Sequence, residues 1–320
     1  VGINALGSVV HGDMNGVQIT GLANLAGGTM RGVQLAGISN ISGNNTVGLS
    51  AAGLVNITGD RTQGVIIAGL TSIGGGNTSG LMISGFMNVT VNMASGLHFS
   101  GAANITGQSF GGLMASGLLN VVGEHMNGLQ MAGIANITAS KLNGVQIALC
   151  NYATQARGLQ IGLVNYYKED MKGFQLGLVN ANPDTRVQMM VYGGNATSAN
   201  IGVRFKNQLF YTILGIGSMY QGLNDKFSAS ASYRAGLSFT LYKGLSISGD
   251  LGYQHIEAFD NKDEVIPKRL YALQARANLE YQFTRKFGIF ATGGYGLTRL
   301  YNKSSNYDKG AIIEAGIVLF

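Results

Sequence analysis

Residues 128–138 read GLQMAGIANIT, and the same phrase stands sixteen residues earlier as GLMASGLLNVV and near the start as GVQLAGISNIS. Each copy begins with a glycine, carries a second glycine five positions later and an asparagine eight positions later. A fixed short period indicates structural units that are stable only when they stack on their neighbours. The leading glycines recur every sixteen residues, and the period shortens for the last two: Gly16, Gly32, Gly48, Gly64, Gly80, Gly96, Gly112, Gly128, Gly144, Gly158 and Gly173.

The repeated unit is predicted to be one coil of a β-solenoid. A hairpin of this length would have arms of about six or seven residues, whereas a membrane-spanning strand needs roughly nine to eleven. We expect the glycines to turn corners where φ must be positive or where the backbone must approach closely. The apolar residues one, three, six and nine positions after the leading glycine, such as Val33, Leu35, Ile38 and Ile41, are expected to form the face that each coil buries against its neighbours.

The asparagines of the repeat are predicted to form a structural ladder. A side-chain amide both donates and accepts hydrogen bonds, so stacked copies can bond along the solenoid. Ser72 replaces the asparagine in one coil. The ladder comprises Asn24, Asn40, Asn56, Asn88, Asn104, Asn120, Asn136, Asn151, Asn165 and Asn180.

Catalysis is not expected in the repeat, because its charged residues are scattered through the connecting segments and form no acid–base pair by spacing. His98 replaces the glutamine that is usual at its position, and a packed or solvated histidine is the interpretation we favour. Met82, Met114 and Met131 are expected to fill gaps in the core. No cofactor or metal site is predicted.

Composition supports an all-β chain. Glycine accounts for 50 of 320 residues and charged residues for only 11%, which fits neither an ordinary helical domain nor a disordered chain. Cys150 is the single cysteine, so an intrachain disulfide is excluded. No run of 18 or more apolar residues and no signal peptide is visible, so a mature or trimmed form is expected. The net charge is +6, but the basic residues do not form a stripe interleaved with aromatic residues, so nucleic-acid binding is not predicted.

After Pro183 the apolar period changes from sixteen to two. In residues 271–283 the odd positions are tyrosine, leucine, alanine or phenylalanine, and the even positions are mostly polar. This alternation is typical of a strand between lipid and a polar lumen. Eight such strands, enough to close a small barrel, are predicted near residues 186–193, 199–206, 208–219, 228–242, 244–256, 268–284, 286–300 and 309–320.

The connections of the predicted barrel alternate in length. The longer ones are expected at Gly193–Ser198, Tyr220–Lys226, Glu257–Pro267 and Tyr301–Asp308, and tight turns at Lys206–Gln208, Tyr242–Gly244 and Thr284–Lys286. Outer-membrane barrels have short periplasmic turns and longer outer loops. This rule places both ends of the barrel, and hence the solenoid, on the periplasmic side.

The inward face of the predicted barrel carries charges of both signs. An eight-stranded interior is about filled by side chains, so a wide pore is not expected. Buried charges are usually paired, which favours a structural network over a proton path or a catalytic dyad. The predicted network comprises Arg204, Arg234, Asp250, Arg276, Glu280 and Glu314.

The eight alternating strands after Pro183 resemble those of the eight-stranded outer-membrane β-barrel proteins of Gram-negative bacteria. The ending GAIIEAGIVLF resembles the terminal strand, with its final Phe, that the barrel assembly machinery recognises. The GxQxxGxxN units are similar to short-repeat surface proteins found beside such barrels. Glu314 shares parity with Val318 and Phe320, so that face is not uniformly apolar. If Glu314 points inward, Ile313 and Ile317 should face lipid and Phe320 should face in or lie beyond the sheet.

We therefore expect a solenoid over residues 1–157, shortened adapter coils over 158–185 and an outer-membrane barrel over 186–320. The resemblance implies an outer-membrane location in a Gram-negative bacterium, with surface exposure of the solenoid left open. The expected role is non-enzymatic, with the barrel as anchor and the solenoid as a spacer or docking surface. The chain would contact membrane lipid and a protein partner of the envelope, and an accessory subunit of a larger envelope assembly is one form of this role.

Three alternative functions remain: a surface adhesin, a small transport channel, and an outer-membrane enzyme with a loop-borne site. The residues available for the last are His255, Glu257, Asp260, Asp263 and Glu264.

Overall fold

The computed structural model describes residues 1–223, 227–259, 269–301 and 306–320. The chain forms two compact units, Val1–Gly177 and Leu178–Phe320. The predicted all-β fold is confirmed, since a parallel β-solenoid is followed along the chain by a closed barrel of eight antiparallel strands. The helix found in the described residues is one short turn, Gln221–Leu223. No helix in that part of the chain is long and apolar enough to cross a bilayer.

Each regular coil of the solenoid contains one long and one short strand. The long strands are Met14–Thr20, Met30–Ala36, Thr46–Ala52, Thr62–Ala68, Thr78–Ser84, Ala94–Ser100, Phe110–Ser116 and His125–Ala132. The short strands are Gly7–Val10, Ala23–Ala26, Ser39–Ser42, Val55–Thr58, Thr71–Gly74, Met87–Thr90, Ala103–Thr106 and Leu119–Val122. The remaining strands of this part of the chain are Gly2–Asn4, Ala135–Ile147, Cys150–Ile161, Val164–Leu176 and Val179–Ala181.

Every strand of a regular coil pairs in parallel with its copy one coil further along, as Gly32 does with Gly48 and Asn40 with Asn56. Equivalent residues therefore stand directly over one another. The coil that starts at Gly144 is two residues shorter than the regular sixteen-residue coils. One residue is missing at the corner between Ile147 and Cys150, and the other at the irregular register that begins after Thr138.

The two glycine columns have different structural causes. All eleven leading glycines adopt positive φ, between 109° and 149°, but they lie inside the long strand, so the expectation that they turn corners is wrong. The second glycine does occupy the corner, where a Cβ on Gly53 would collide with the carbonyl oxygen of Gly37 in the preceding coil. The corner needs glycine because of close stacking, whereas the leading position needs it for its φ angle as well.

The expected orientation of the repeat is also wrong, because the apolar columns point outward. Ile38 is 43% exposed, whereas Gln34 and Asn40 are buried inside the coil. Successive side chains of a strand point to opposite faces, so the amide and aliphatic columns cannot both be inside. The amides can satisfy one another only where they stack in the interior, and an unsatisfied buried amide would be costly.

The barrel strands are Arg186–Gly194, Thr197–Asn207, Phe210–Tyr220, Ser228–Tyr242, Leu245–Ala258, Arg269–Thr284, Phe287–Leu300 and Asn306–Leu319. All neighbours are antiparallel, and pairing of Met189 with Leu319 closes the barrel between its first and last strands. Residues 208–209, 243–244 and 285–286 form tight turns at one end. At the opposite end residues 195–196 join the first two strands, and the other strands there end at Tyr220, Ala258 and Leu300. Parts of the three connections predicted after these strands, residues 224–226, 260–267 and 302–305, lie outside the described residues.

One predicted connection differs from the structure. The link expected to be long at Gly193–Ser198 is a tight turn, because the flanking strands extend to Gly194 and Thr197. Asn195 stabilises this turn: its Oδ1 accepts from the Ile313 amide at 2.8 Å and its Nδ2 donates to the Ala311 carbonyl at 2.8 Å.

Candidate functional site: polar interiors and apolar outer surfaces

The asparagine column forms hydrogen bonds along the solenoid. Asn40 Nδ2 donates to Asn56 Oδ1 at 3.1 Å and to the Ala51 carbonyl of the next coil at 2.8 Å. Each asparagine thus joins both a side chain and a backbone group of its neighbour. Amide-to-amide bonds join Asn24, Asn40 and Asn56 in one run and Asn88, Asn104, Asn120, Asn136, Asn151 and Asn165 in another.

Ser72 stands at the break between the two runs. Ser84 joins Ser72 to the second run, since its hydroxyl donates to Ser72 Oγ at 2.9 Å and lies 2.7 Å from Asn88 Oδ1. Asn180 is buried as well, and its carbonyl accepts a hydrogen bond from Asn207 Nδ2 at 2.6 Å.

A glutamine column runs beside the asparagines and was not among the predicted site residues. Gln34 Nε2 donates to Gln18 Oε1 at 2.9 Å, and Gln146 Nε2 donates to Gln130 Oε1 at 2.8 Å. The signal was present, because glutamine recurs two positions after the leading glycine in the first and last coils. The middle coils carry other residues there: Ser50, Ile66, Met82, His98 and Met114.

His98 is packed inside the solenoid. Its side chain stacks in register between Met82 and Met114, and its ring meets the edge of Phe110 at 5.0 Å between centroids. Burial lowers the pKa of His98 from 6.5 to about 4, so the ring is neutral at physiological pH. Met82 and Met114 are buried as expected, but Met131 is 40% exposed and its predicted core position is wrong.

The apolar columns lie on both strands of the coil and on the corner between them. Phe86, Leu118 and Ile134 are equivalent corner residues in different coils, and about half of each side chain is exposed. Charged residues of the solenoid stand in the segments that precede each leading glycine. Residues 1–157 place the following there: Asp13, Arg31, Asp60, Arg61, Glu124, Lys141 and Arg157.

Two arginines of the barrel interior each form two hydrogen bonds to one carboxylate. Arg204 donates to both carboxylate oxygens of Glu280, at 2.6 and 2.9 Å. Arg234 donates to both oxygens of Asp250, at 2.8 and 2.7 Å. All four side chains are buried. Such fork-to-fork geometry is the strongest form of a protein ion pair.

The third arginine, Arg276, does not bind Asp250, although the two residues are register partners on neighbouring strands. Arg276 instead reaches Glu314 on the last strand, with two bonds of 3.1 Å. Arg234 Nη1 lies 3.9 Å from Glu314 Oε2 and links the second and third pairs. The six predicted charges therefore balance, three positive against three negative.

Neutral residues complete the interior and were not predicted as part of the network. The Tyr211 hydroxyl donates to Asp250 Oδ2 at 2.7 Å, and Asn278 Nδ2 donates to the same oxygen at 2.9 Å. Strand parity could have found Asn278, which lies on the polar face of its strand. Tyr211 gave no such signal, because tyrosine in a barrel strand is typical of the aromatic girdles.

The side chains of the last strand alternate between the interior and the outer face as expected for an inward Glu314. Glu314 and Val318 are buried, Ile313 is exposed on the outer face, and Phe320 lies beyond the end of the strand.

The longer-connection end of the barrel carries the residues considered for an enzyme. His255 Nδ1 lies 2.7 Å from the Tyr301 hydroxyl, and His255 Nε2 lies 3.9 Å from Glu257 Oε2. Asp260, Asp263 and Glu264 lie outside the described residues. No cluster of three metal-ligating side chains occurs in the part of the chain that the structure describes.

Searches against family models and curated proteins find no match to the chain. Two solved structures are similar to it. One is the N-terminal β-barrel domain of Pseudomonas aeruginosa OprF, with 15% identity, 42% of this chain and 93% of that chain covered, and a TM-score of 0.28. The other is Neisserial surface protein A, with 9% identity, 42% and 92% coverage, and a TM-score of 0.28.

Proposed function

We propose that the chain is a non-enzymatic outer-membrane protein of a Gram-negative bacterium, in which the barrel is the anchor and the solenoid a structural or docking element. The observation that carries the proposal is the outer surface of the barrel. Its middle band is apolar and uncharged, as at Ile216, Leu251 and Ile313. Charged outward residues stand near the strand ends: Arg186, Glu257, Arg269, Arg299 and Lys309.

Aromatic residues border this band at both ends. Tyr253 and Tyr271 stack near the longer connections, and Phe283 and Phe287 stack near the tight turns. Two aromatic girdles around an apolar band are the signature of strands that cross a bilayer.

The filled interior favours anchoring over transport. Large side chains occupy the centre, and the Arg234 guanidinium lies over the Tyr192 ring at 5.8 Å. An eight-stranded barrel has little interior volume beyond its own side chains. Conduction would require at least one arginine–carboxylate pair to open, which would expose unpaired charge in a confined space.

The tight turns and both ends of the barrel chain share one side. Tight turns are periplasmic in outer-membrane barrels, so we place the solenoid in the periplasm, where it would act as a spacer or bind a protein of the cell envelope. Exposure of the solenoid on the cell surface, as in an adhesin, is the competing arrangement.

Two measurements on the full chain test the proposal. The unboiled protein extracted from outer membranes should migrate differently from the boiled protein on a denaturing gel, because folded barrels resist the detergent. Protease added to intact cells should spare the solenoid and should cleave it after permeabilisation. Identical migration would contradict the membrane barrel, and cleavage in intact cells would replace the periplasmic placement with surface exposure.

A further inference from the structure

The solenoid has an outer surface that water solvates poorly. Leucine, isoleucine, valine and phenylalanine recur outward on the long strand, at the corner and on the short strand of successive coils. Nine coils begin at the leading glycines from Gly16 to Gly144. In each of them the eleven residues that start with the glycine include no Asp, Glu, Lys or Arg. The one histidine in these segments, His98, is buried inside the coil. Soluble monomers rarely expose an apolar patch above a few hundred Å².

The charges are segregated along the opposite edge of the coils. Asp13 and Arg31, one coil apart, form an exposed ion pair of 3.3 Å on this edge. A hydrogen bond from the Thr29 amide lowers the pKa of Asp13, which keeps the carboxylate ionised. The solenoid is thus amphipathic across its section, with one charged edge and an apolar remainder.

The apolar surface is suited to lipid, which leaves the charged edge as the surface open to the protein partner proposed above. The apolar surface wraps around the coil, because its residues lie outward on the long strand, at the corner and on the short strand, so one protein surface would contact only part of it. It also has no charged side chain within it to specify a protein interface. Fluid acyl chains conform to such a surface, and the solenoid backbone is already bonded in its parallel ladder, as lipid contact requires.

We propose that the apolar surface of the solenoid lies among the acyl chains of a lipid leaflet while the charged edge stays in water. This inference rests on the proposed membrane barrel, which would supply the bilayer: the last repeat begins at Gly173 and the first barrel strand at Arg186, so little chain intervenes. The solenoid would then lie in the membrane interface as an amphipathic helix does, although it is built from β-strands.

The absence of tryptophan from the chain makes a direct test available. Single-tryptophan variants of the full chain, Leu118→Trp at the apolar corner and Gln108→Trp on the charged edge, are reconstituted in phosphatidylcholine vesicles with plain or brominated acyl chains. Leu251→Trp on the outer face of the barrel is the reference for lipid contact. Bromine quenches tryptophan only at short range, so Leu118→Trp should lose fluorescence in brominated vesicles as Leu251→Trp does, and Gln108→Trp should not.

The outcomes separate the two proposals. If Leu251→Trp is quenched and Leu118→Trp is not, the interfacial solenoid is overturned and the barrel proposal stands. If neither is quenched, both fail. A Leu118→Trp emission that depends on protein concentration without bromine quenching would assign the surface to a second copy and also overturn the inference. Ile134→Trp, in the next coil of the same column, repeats the test if Leu118→Trp loses its β-sheet circular dichroism.

Discussion

At the scale of single residues, His98 is a titratable group held where its charged form is disfavoured. Its folded pKa of about 4 lies below the 6.5 of the unfolded chain, so between these values the unfolded state binds more protons. The stabilisation is complete above pH 6.5 and is lost as the pH falls toward 4. We expect the solenoid to lose roughly 2 kcal/mol between pH 7 and pH 5 through this residue, at about 1.4 kcal/mol per pH unit.

The measurement is thermal denaturation of the full chain, followed by circular dichroism at both pH values. His98→Met is the matched control, because methionine occupies the same column on either side, at Met82 and Met114. The pH dependence of the wild type should exceed that of His98→Met. Equal pH dependence in the two proteins would show that His98 is not buried as described.

Asp250 is predicted to couple to one arginine and not to the other. Asp250→Ala should destabilise the barrel by about 3–5 kcal/mol, the usual cost of leaving a buried partner unpaired, here Arg234. In an Arg234→Met background the cost should fall sharply, whereas in an Arg276→Met background it should stay near its full value, because Arg276 binds Glu314. The free energy of unfolding in urea gives the two double-mutant cycles. Equal coupling to both arginines would contradict the pairing in the structure.

At the scale of the coil, the sixteen-residue coils should be interchangeable with one another. Deletion of residues 96–111 brings Gly80 next to Gly112 and Asn88 next to Asn120, so the columns stay in register and the deletion should be tolerated. Deletion of residues 96–103 has half the length but places unlike positions over one another, and it should unfold the neighbouring coils. The β-sheet circular dichroism and the melting temperature of both variants check this, and equal damage from the two deletions would argue against the stacked register.

The coil also shows where inference from sequence ends. The period, the parallel stacking and the positive φ of the glycines follow from spacing, and so do the columns themselves. Which column faces inward does not, because Gln34 and Leu35 alternate equally well in either orientation. Hydrophobicity suggested Leu35, but the hydrogen bonds from Gln34 to Gln18 and from Asn40 to Asn56 exist only if the amides are inside. Only the contacts between coils decide the question.

At the scale of the whole molecule, the barrel strands were predicted within a few residues because the period of two fixes each strand. The partners of the buried ion pairs inside the barrel were harder to predict from the sequence. Arg276 and Glu314 stand on strands that are not neighbours, so sequence adjacency could not indicate their contact. The tight turn at residues 195–196 was missed because Asn195, whose side chain bonds the last strand, is an ordinary loop residue in the sequence.

The polar interior of the solenoid has a thermal consequence. Unfolding a conventional core exposes apolar surface and raises the heat capacity, whereas exposure of polar groups lowers it. Here many aliphatic side chains are already partly exposed in the folded coil, and the interior holds amides and hydroxyls beside an apolar cluster that includes Phe110 and Leu142. The heat-capacity change per residue should therefore fall below the usual value of about 12–15 cal/mol/K, which broadens the stability curve and moves cold denaturation to lower temperature.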